Sequence, residues 1–102
     1  MTDDKGRPTP IRDVLASFLR SRGLDRRVER ARVLVEWASL VGPQIASVTV
    51  PRTVTEDGTL FVGVKTHGWM SELAMMERTL LVKVNAVEGR DPIKRIRWEL
   101  LR

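Results

Sequence analysis

A chain of 102 residues is the size of one domain, and its 42% hydrophobic content is enough to build a modest core. It has no cysteine and a single histidine, which excludes disulfide frameworks, thiolate metal sites and cysteine nucleophiles. A formal charge of +5 favours anionic partners such as nucleic acid or an acidic protein surface.

Residues 1–8 are polar and carry Gly6 and Pro8, so they are expected to form a flexible tail preceding one domain over residues 9–102. Thr9 and Pro10 have the form of an N-cap with proline in the first turn. Ile11, Val14, Leu15, Phe18 and Leu19 then repeat at helical spacing up to Gly23. Asp25 is the predicted cap of a second helix, with Val28, Ala31, Val35 and Ala38 on one face. Leu34, Trp37, Leu40 and Val41 widen that stripe before Gly42-Pro43 stops it.

After Val48 the period changes to two. Val48, Val50 and Val54 form one run and Leu60, Val62 and Val64 another, joined by Asp57-Gly58 as a hairpin turn. Pro51 cannot donate to a ladder, which places the first strand at an edge or gives it a bulge. Thr66 is the predicted cap of a long helix carrying Trp69, Leu73, Met76, Leu80, Val84 and Val87, ended by Gly89. Ile96, Trp98 and Leu100 alternate with Arg95, Arg97 and Glu99 in a last strand. The order α-α-β-β-α-β implies an α+β fold: a three-stranded sheet packed by helices on one face.

Catalytic and nucleotide-binding patterns are missing. His67, with Ser71 and Glu72 downstream, sits in a helix start rather than on a nucleophile elbow, and neither GxxxxGK[ST] nor GxGxxG occurs. The scattered acids and one histidine do not make a metal site. No run approaches the roughly 18 apolar residues of a membrane span, and the N-terminus lacks the apolar run of a signal peptide, so a cytoplasmic protein is expected. A binding module without enzymatic activity, cofactor or small-molecule substrate follows.

Two features remain as candidate contacts. Residues 20–32 hold six arginines, Arg20, Arg22, Arg26, Arg27, Arg30 and Arg32, against Asp25 and Glu29. This is either a solvated helical surface or a contact for an acidic partner. Strand parity also puts Phe61 and Lys65 on the side away from Leu60, Val62 and Val64, and Arg95 and Arg97 on the side away from Ile96 and Trp98, with Lys94 leading into that strand. The open face is either an ordinary exposed sheet surface or a platform on which single-stranded bases stack while phosphates meet cations. The three tryptophans, Trp37, Trp69 and Trp98, are in phase with aliphatic neighbours and are assigned to the core.

Two stretches carry a family resemblance. One runs from Trp37-Ala38-Ser39-Leu40-Val41-Gly42 through Ile45, Ala46 and Pro51 to Asp57-Gly58-Thr59-Leu60-Phe61-Val62. The other is Thr66-His67-Gly68-Trp69-Met70-Ser71-Glu72-Leu73 with Leu80, Leu81, Asn85 and the closing Ile93-Lys94-Arg95-Ile96-Arg97-Trp98. Over residues 9–100 the sequence resembles the DciA family, which associates with the bacterial replicative helicase DnaB. The resemblance implies a KH-like fold, a role in loading that helicase, and contact with single-stranded DNA. The alternative is a general single-stranded nucleic-acid or RNA-binding module. No Gly-x-x-Gly loop joins two helices, so the backbone clamp of RNA-binding KH domains is not expected. Family members often carry a basic extension beyond this domain, whereas this sequence ends at Arg102; resting on a few Lys/Arg–phosphate contacts without a backbone clamp, DNA binding is expected to be weak and salt-dependent.

Overall fold

The computed structural model describes residues 10–102, leaving out the side chains of residues 10, 12, 16, 19–22 and 24. The predicted tail, the Thr9 cap and the side chains of Leu19, Arg20 and Arg22 therefore lie outside what is described. Among the described residues, five helices and a three-stranded mixed sheet follow in the order α1 (Pro10–Ala31), α2 (Val33–Val41), α3 (Pro43–Ala46), β1 (Thr49–Val54), β2 (Thr59–Val64), α4 (His67–Met75), α5 (Glu77–Val84) and β3 (Arg95–Leu100). This is the expected α+β class, and its coarse order is compatible with a KH-like arrangement.

The first boundary differs from the sequence reading. Helix α1 runs through Gly23 and Asp25 without a stop, and the direction changes only at Arg32, whose amide is shared between the Val28 and Glu29 carbonyls. One interior glycine costs a helix about 1 kcal/mol, which does not end a helix whose C-terminal half is anchored by side chains. The break resets the helical phase. Val33, Trp37 and Val41 are buried on α2, whereas the predicted face fails: Val28 is exposed, and Val35 is 87% exposed. On α1 the stripe of Ile11, Val14, Leu15 and Phe18 is likewise exposed, Ile11 at 81%.

The strand order is β1-β2-β3, with β1 antiparallel and β3 parallel to β2. A bulge between Pro51 and Thr53 agrees with the proline rule but shifts parity along β1. Consequently Thr49, opposite Val64, is buried, while Val50, opposite Gly63, is exposed rather than in phase with Val54. The hairpin closes over Thr55 to Gly58: the Gly58 amide bonds the Thr55 carbonyl (3.0 Å) and the Thr55 amide bonds that of Thr59 (2.9 Å). The positive φ the turn requires, 90°, falls at Gly58.

The long helix expected after Thr66 is two. The Thr66 hydroxyl accepts from the Trp69 amide (3.1 Å) as predicted, but Met76, at φ −95° and ψ 4°, separates α4 from α5. At the break the Glu77 carboxylate accepts from the Ile96 amide (3.2 Å), tying the helix pair to the edge of β3. Helix α5 stops at Val84, short of Gly89, because Asn85 turns to the following chain. Its side-chain amide donates to the Ile93 carbonyl (2.9 Å) and its carbonyl accepts from the Ile93 amide (2.8 Å). Asn85→Ala is expected to lower unfolding free energy by about 1–2 kcal/mol, read from urea denaturation, because a backbone donor and acceptor lose their partner together.

One face of the sheet carries Leu60, Val62, Val64 and Ile96 into a core completed by Val33, Trp37, Val41, Ile45, Leu73, Leu80, Val84 and Ile93. Within it the Trp37 Nε1–H donates to the Thr49 hydroxyl (2.8 Å), which donates to the Ile45 carbonyl (2.7 Å). Trp69 and Trp98 are only half-buried, packing against this core from its rim.

Candidate functional site

The open sheet face follows from unbroken alternation on β2 and β3. Cross-strand register sets Thr53, Phe61 and Arg97 side by side and Thr59 beside Arg95, with Gly63 opposite Val50 and Glu99. Neighbouring strands lie about 4.8 Å apart, so the Phe61 ring and the Arg97 side chain are adjacent on one surface. Phe61, Arg95 and Arg97 line a single hollow of about 560 Å³ with Thr55, Glu56, Asp57 and Thr59.

The two arginines differ in freedom. Arg95 Nη1 donates to the Thr59 hydroxyl (2.6 Å) and to Asp57 Oδ2 (3.3 Å), which holds it against the hairpin turn. Arg97 makes no hydrogen bond or ion pair with a described side chain. Asp57 accepts from the Thr55 hydroxyl; this bond, the Thr59 hydroxyl and the nearby Arg95 charge together hold its carboxyl below the usual carboxylate range. A carboxyl lowered in the folded state stabilises the turn above its ordinary titration range and loses that contribution as pH falls below that range through the lowered folded-state value.

Lys65, just past β2, and Lys94, just before β3, are exposed and flank this hollow in sequence without lining it. The sequence reading missed Thr55, Asp57 and Thr59. Their signal was the Thr-x-Asp-Gly-Thr string, whose hydroxyls and carboxylate sit where a turn bonds its own side chains.

The arginine-rich corner is built differently from a free cationic surface. Arg27 pairs with Glu56 (3.0 Å) and Arg26 with Asp91 (3.3 Å). Arg30 reaches Asp91 (3.9 Å), the Glu56 carbonyl (2.6 Å) and the Pro92 carbonyl (3.2 Å), and its side chain is only 13% exposed. Arg32 is shared by Glu29 and Glu36 on its own helical surface. Arginines 26, 27 and 30 thus fasten the C-terminal half of α1 to the β1–β2 turn and to the segment before β3. Arg26 and Arg27 remain mostly exposed, and such pairs contribute about 0–1 kcal/mol each, so they can exchange partners; Arg30 is a packing residue.

Among the described residues no group of three or more His, Cys, Asp or Glu is placed to hold a metal, and no helix is long and apolar enough to cross a membrane. His67 is exposed at the start of α4.

Residues 10–98 match the family described as "Dna[CI] antecedent, DciA". The chain belongs to the DciA family. Relatives carry the name UPF0232 protein. That of Mycolicibacterium paratuberculosis is 37% identical over 82 residues, covering 80% of this chain and 45% of its own length. The protein Rv0004 of Mycobacterium tuberculosis is 32% identical over 90 residues, 88% of this chain and 48% of the relative. RHA1_ro03670 of Rhodococcus jostii is 32% identical over 95 residues, 93% and 50% respectively. The chain therefore spans about half the length of these DciA-family relatives.

Proposed function

We infer that this DciA-family chain is a non-catalytic cytoplasmic replication-initiation module that binds the replicative DnaB-type helicase and promotes its loading onto single-stranded DNA. Family membership across residues 10–98 carries this reading. The open sheet face supports its nucleic-acid part, since Phe61 offers a stacking surface beside Arg97, a cation with no internal partner among the described residues. Arg95, paired with Asp57, lines the same hollow, and the exposed Lys65 and Lys94 stand next to it in sequence. The helicase contact is assigned to the exposed arginines of the corner, Arg26 and Arg27, whose surface pairs an acidic partner can replace. A loader without an ATP site acts through differential binding to one helicase state.

The test uses the host helicase and single-stranded DNA on beads. The protein is expected to raise the amount of helicase retained, and Arg26→Glu with Arg27→Glu to reduce it. Binding of the protein alone to oligothymidylate is expected to fall roughly 20-fold between ~50 and ~200 mM salt if about three phosphates are contacted, and Arg97→Glu to flatten that slope by about one contact. Failure to retain helicase at any salt concentration removes the loader reading and leaves the single-stranded nucleic-acid or RNA-binding module. Oligonucleotide affinity that is insensitive to salt and to Arg97→Glu removes the sheet face as its site.

A further inference from the structure

The hollows of this surface differ in how their polar groups are occupied. Those around Arg26, Arg27 and Arg30 are filled by ion pairs with Glu56 and Asp91, and the one beside Arg95 is partly neutralised by Asp57. A groove of about 520 Å³ between α3 and the start of α4 is unlike them. It is lined by Gln44, Ile45, Thr66, Gly68, Trp69, Glu72 and Met76.

Trp69, Glu72 and Met76 are spaced i, i+3 and i+7 and so share one side of the α4–α5 segment, while Ile45, buried on α3, contributes apolar surface to the same groove. Gly68, exposed and with only the Thr66 hydroxyl as near as 4.0 Å to where a Cβ would stand, leaves the end by Trp69 open. The polar groups here are unspent. Neither the Trp69 indole N–H, the Glu72 carboxylate nor the Gln44 side-chain amide has a hydrogen-bond or ion-pair partner among the described residues. Among the described residues no lysine or arginine lines the groove, and the charge there is that of Glu72. On a chain of formal charge +5 this is an apolar groove with a negative group in it.

We propose that this groove binds an extended peptide segment of a partner protein in which an arginine or lysine is flanked by apolar residues. The apolar neighbours pack on Ile45, Trp69 and Met76, and the cation lies across the Trp69 indole with its charge against Glu72, combining a cation–π contact with an ion pair. Gln44 and the indole N–H are placed to bond the peptide backbone. A nucleic-acid strand is the disfavoured occupant, because Glu72 repels phosphate and no cation in the groove offsets it.

The probe is the capped pentapeptide Gly-Leu-Arg-Leu-Gly, titrated into the isotopically labelled full chain while the Gly68 amide and Trp69 indole resonances are followed. Saturable shifts at both are expected, with Kd about 1 mM for so small a contact. Replacing the peptide arginine by citrulline, which keeps the shape and removes the charge, is expected to weaken binding about fivefold, the value of a partly exposed ion pair. Glu72→Gln is expected to shrink that difference to the part the Trp69 indole supplies while leaving the spectrum elsewhere unchanged. Resonances unmoved at about ten times the expected Kd, equal affinity for the citrulline peptide, or a preference undiminished by Glu72→Gln each overturn the proposal. So do shifts at Gly68 and Trp69 produced by oligothymidylate instead of the peptide, which assign the groove to nucleic acid.

Discussion

Trp37→Ala is expected to abolish the cooperative unfolding transition. Trp37 is 2% exposed and lies in the core between α2 and the sheet, so its removal leaves a cavity there and costs about 3–5 kcal/mol. A small domain holds only about 5–15 kcal/mol in all. Circular dichroism on heating reads the result directly; a sharp melt within a few degrees of the unsubstituted protein would show that α2 is not what holds the sheet. Trp37→Phe separates packing from hydrogen bonding. It keeps most of the ring but removes the donor to the Thr49 hydroxyl, and is expected to cost about 1–2 kcal/mol. Trp69→Ala, at a half-buried rim position, is expected to cost less than Trp37→Ala.

Gly63→Val carries the second large effect. A Cβ built on Gly63 overlaps the Leu101 Cδ2 and lies 2.9 Å from its Cγ, because the chain after β3 lays Leu101 across the open face while its amide bonds the Val64 carbonyl (2.8 Å). Overpacking of this kind costs about 1–3 kcal/mol. Leu101→Ala is expected to be mild alone and to restore most of the stability of Gly63→Val, giving a coupling of about 1 kcal/mol or more in a double-mutant cycle by urea denaturation. Additive losses would mean that strand flexibility, not Leu101, is what Gly63 serves.

These two sites differ in how far the sequence announced them. Local signals were readable: the Thr66 cap, the turn glycine at 58, the proline rule at 51, and the alternation that places Phe61, Arg95 and Arg97 on one face. What escaped was set by contacts between distant segments. Gly23 has the form of a helix stop, but Arg30 lies beyond it and, bonded to the Glu56 and Pro92 carbonyls, fastens the continuing helix. A single helical phase from Asp25 to Val41 then selected Val28 and Val35, where a break at Arg32 turns Val33 inward alongside the expected Trp37. The bulge in β1 did the same to Val50. Asn85 and Arg90 gave no local sign. Arg90 is buried against Glu36 (2.7 Å) and the Val84 carbonyl (3.1 Å), a pairing that only the closed fold creates.

Parallel pairing of β2 with β3 also sets an order of events in time. An antiparallel hairpin such as β1–β2 closes through a short turn within microseconds, whereas parallel strands must wait for the crossover between them. Here that crossover is α4 and α5, and the Glu77–Ile96 and Asn85–Ile93 bonds fix where β3 can land. The hairpin is therefore expected early in folding and the third strand late. Phe61 belongs to the early part and Arg97 to the late one, so their juxtaposition is expected to form last, when β3 covers the edge of β2.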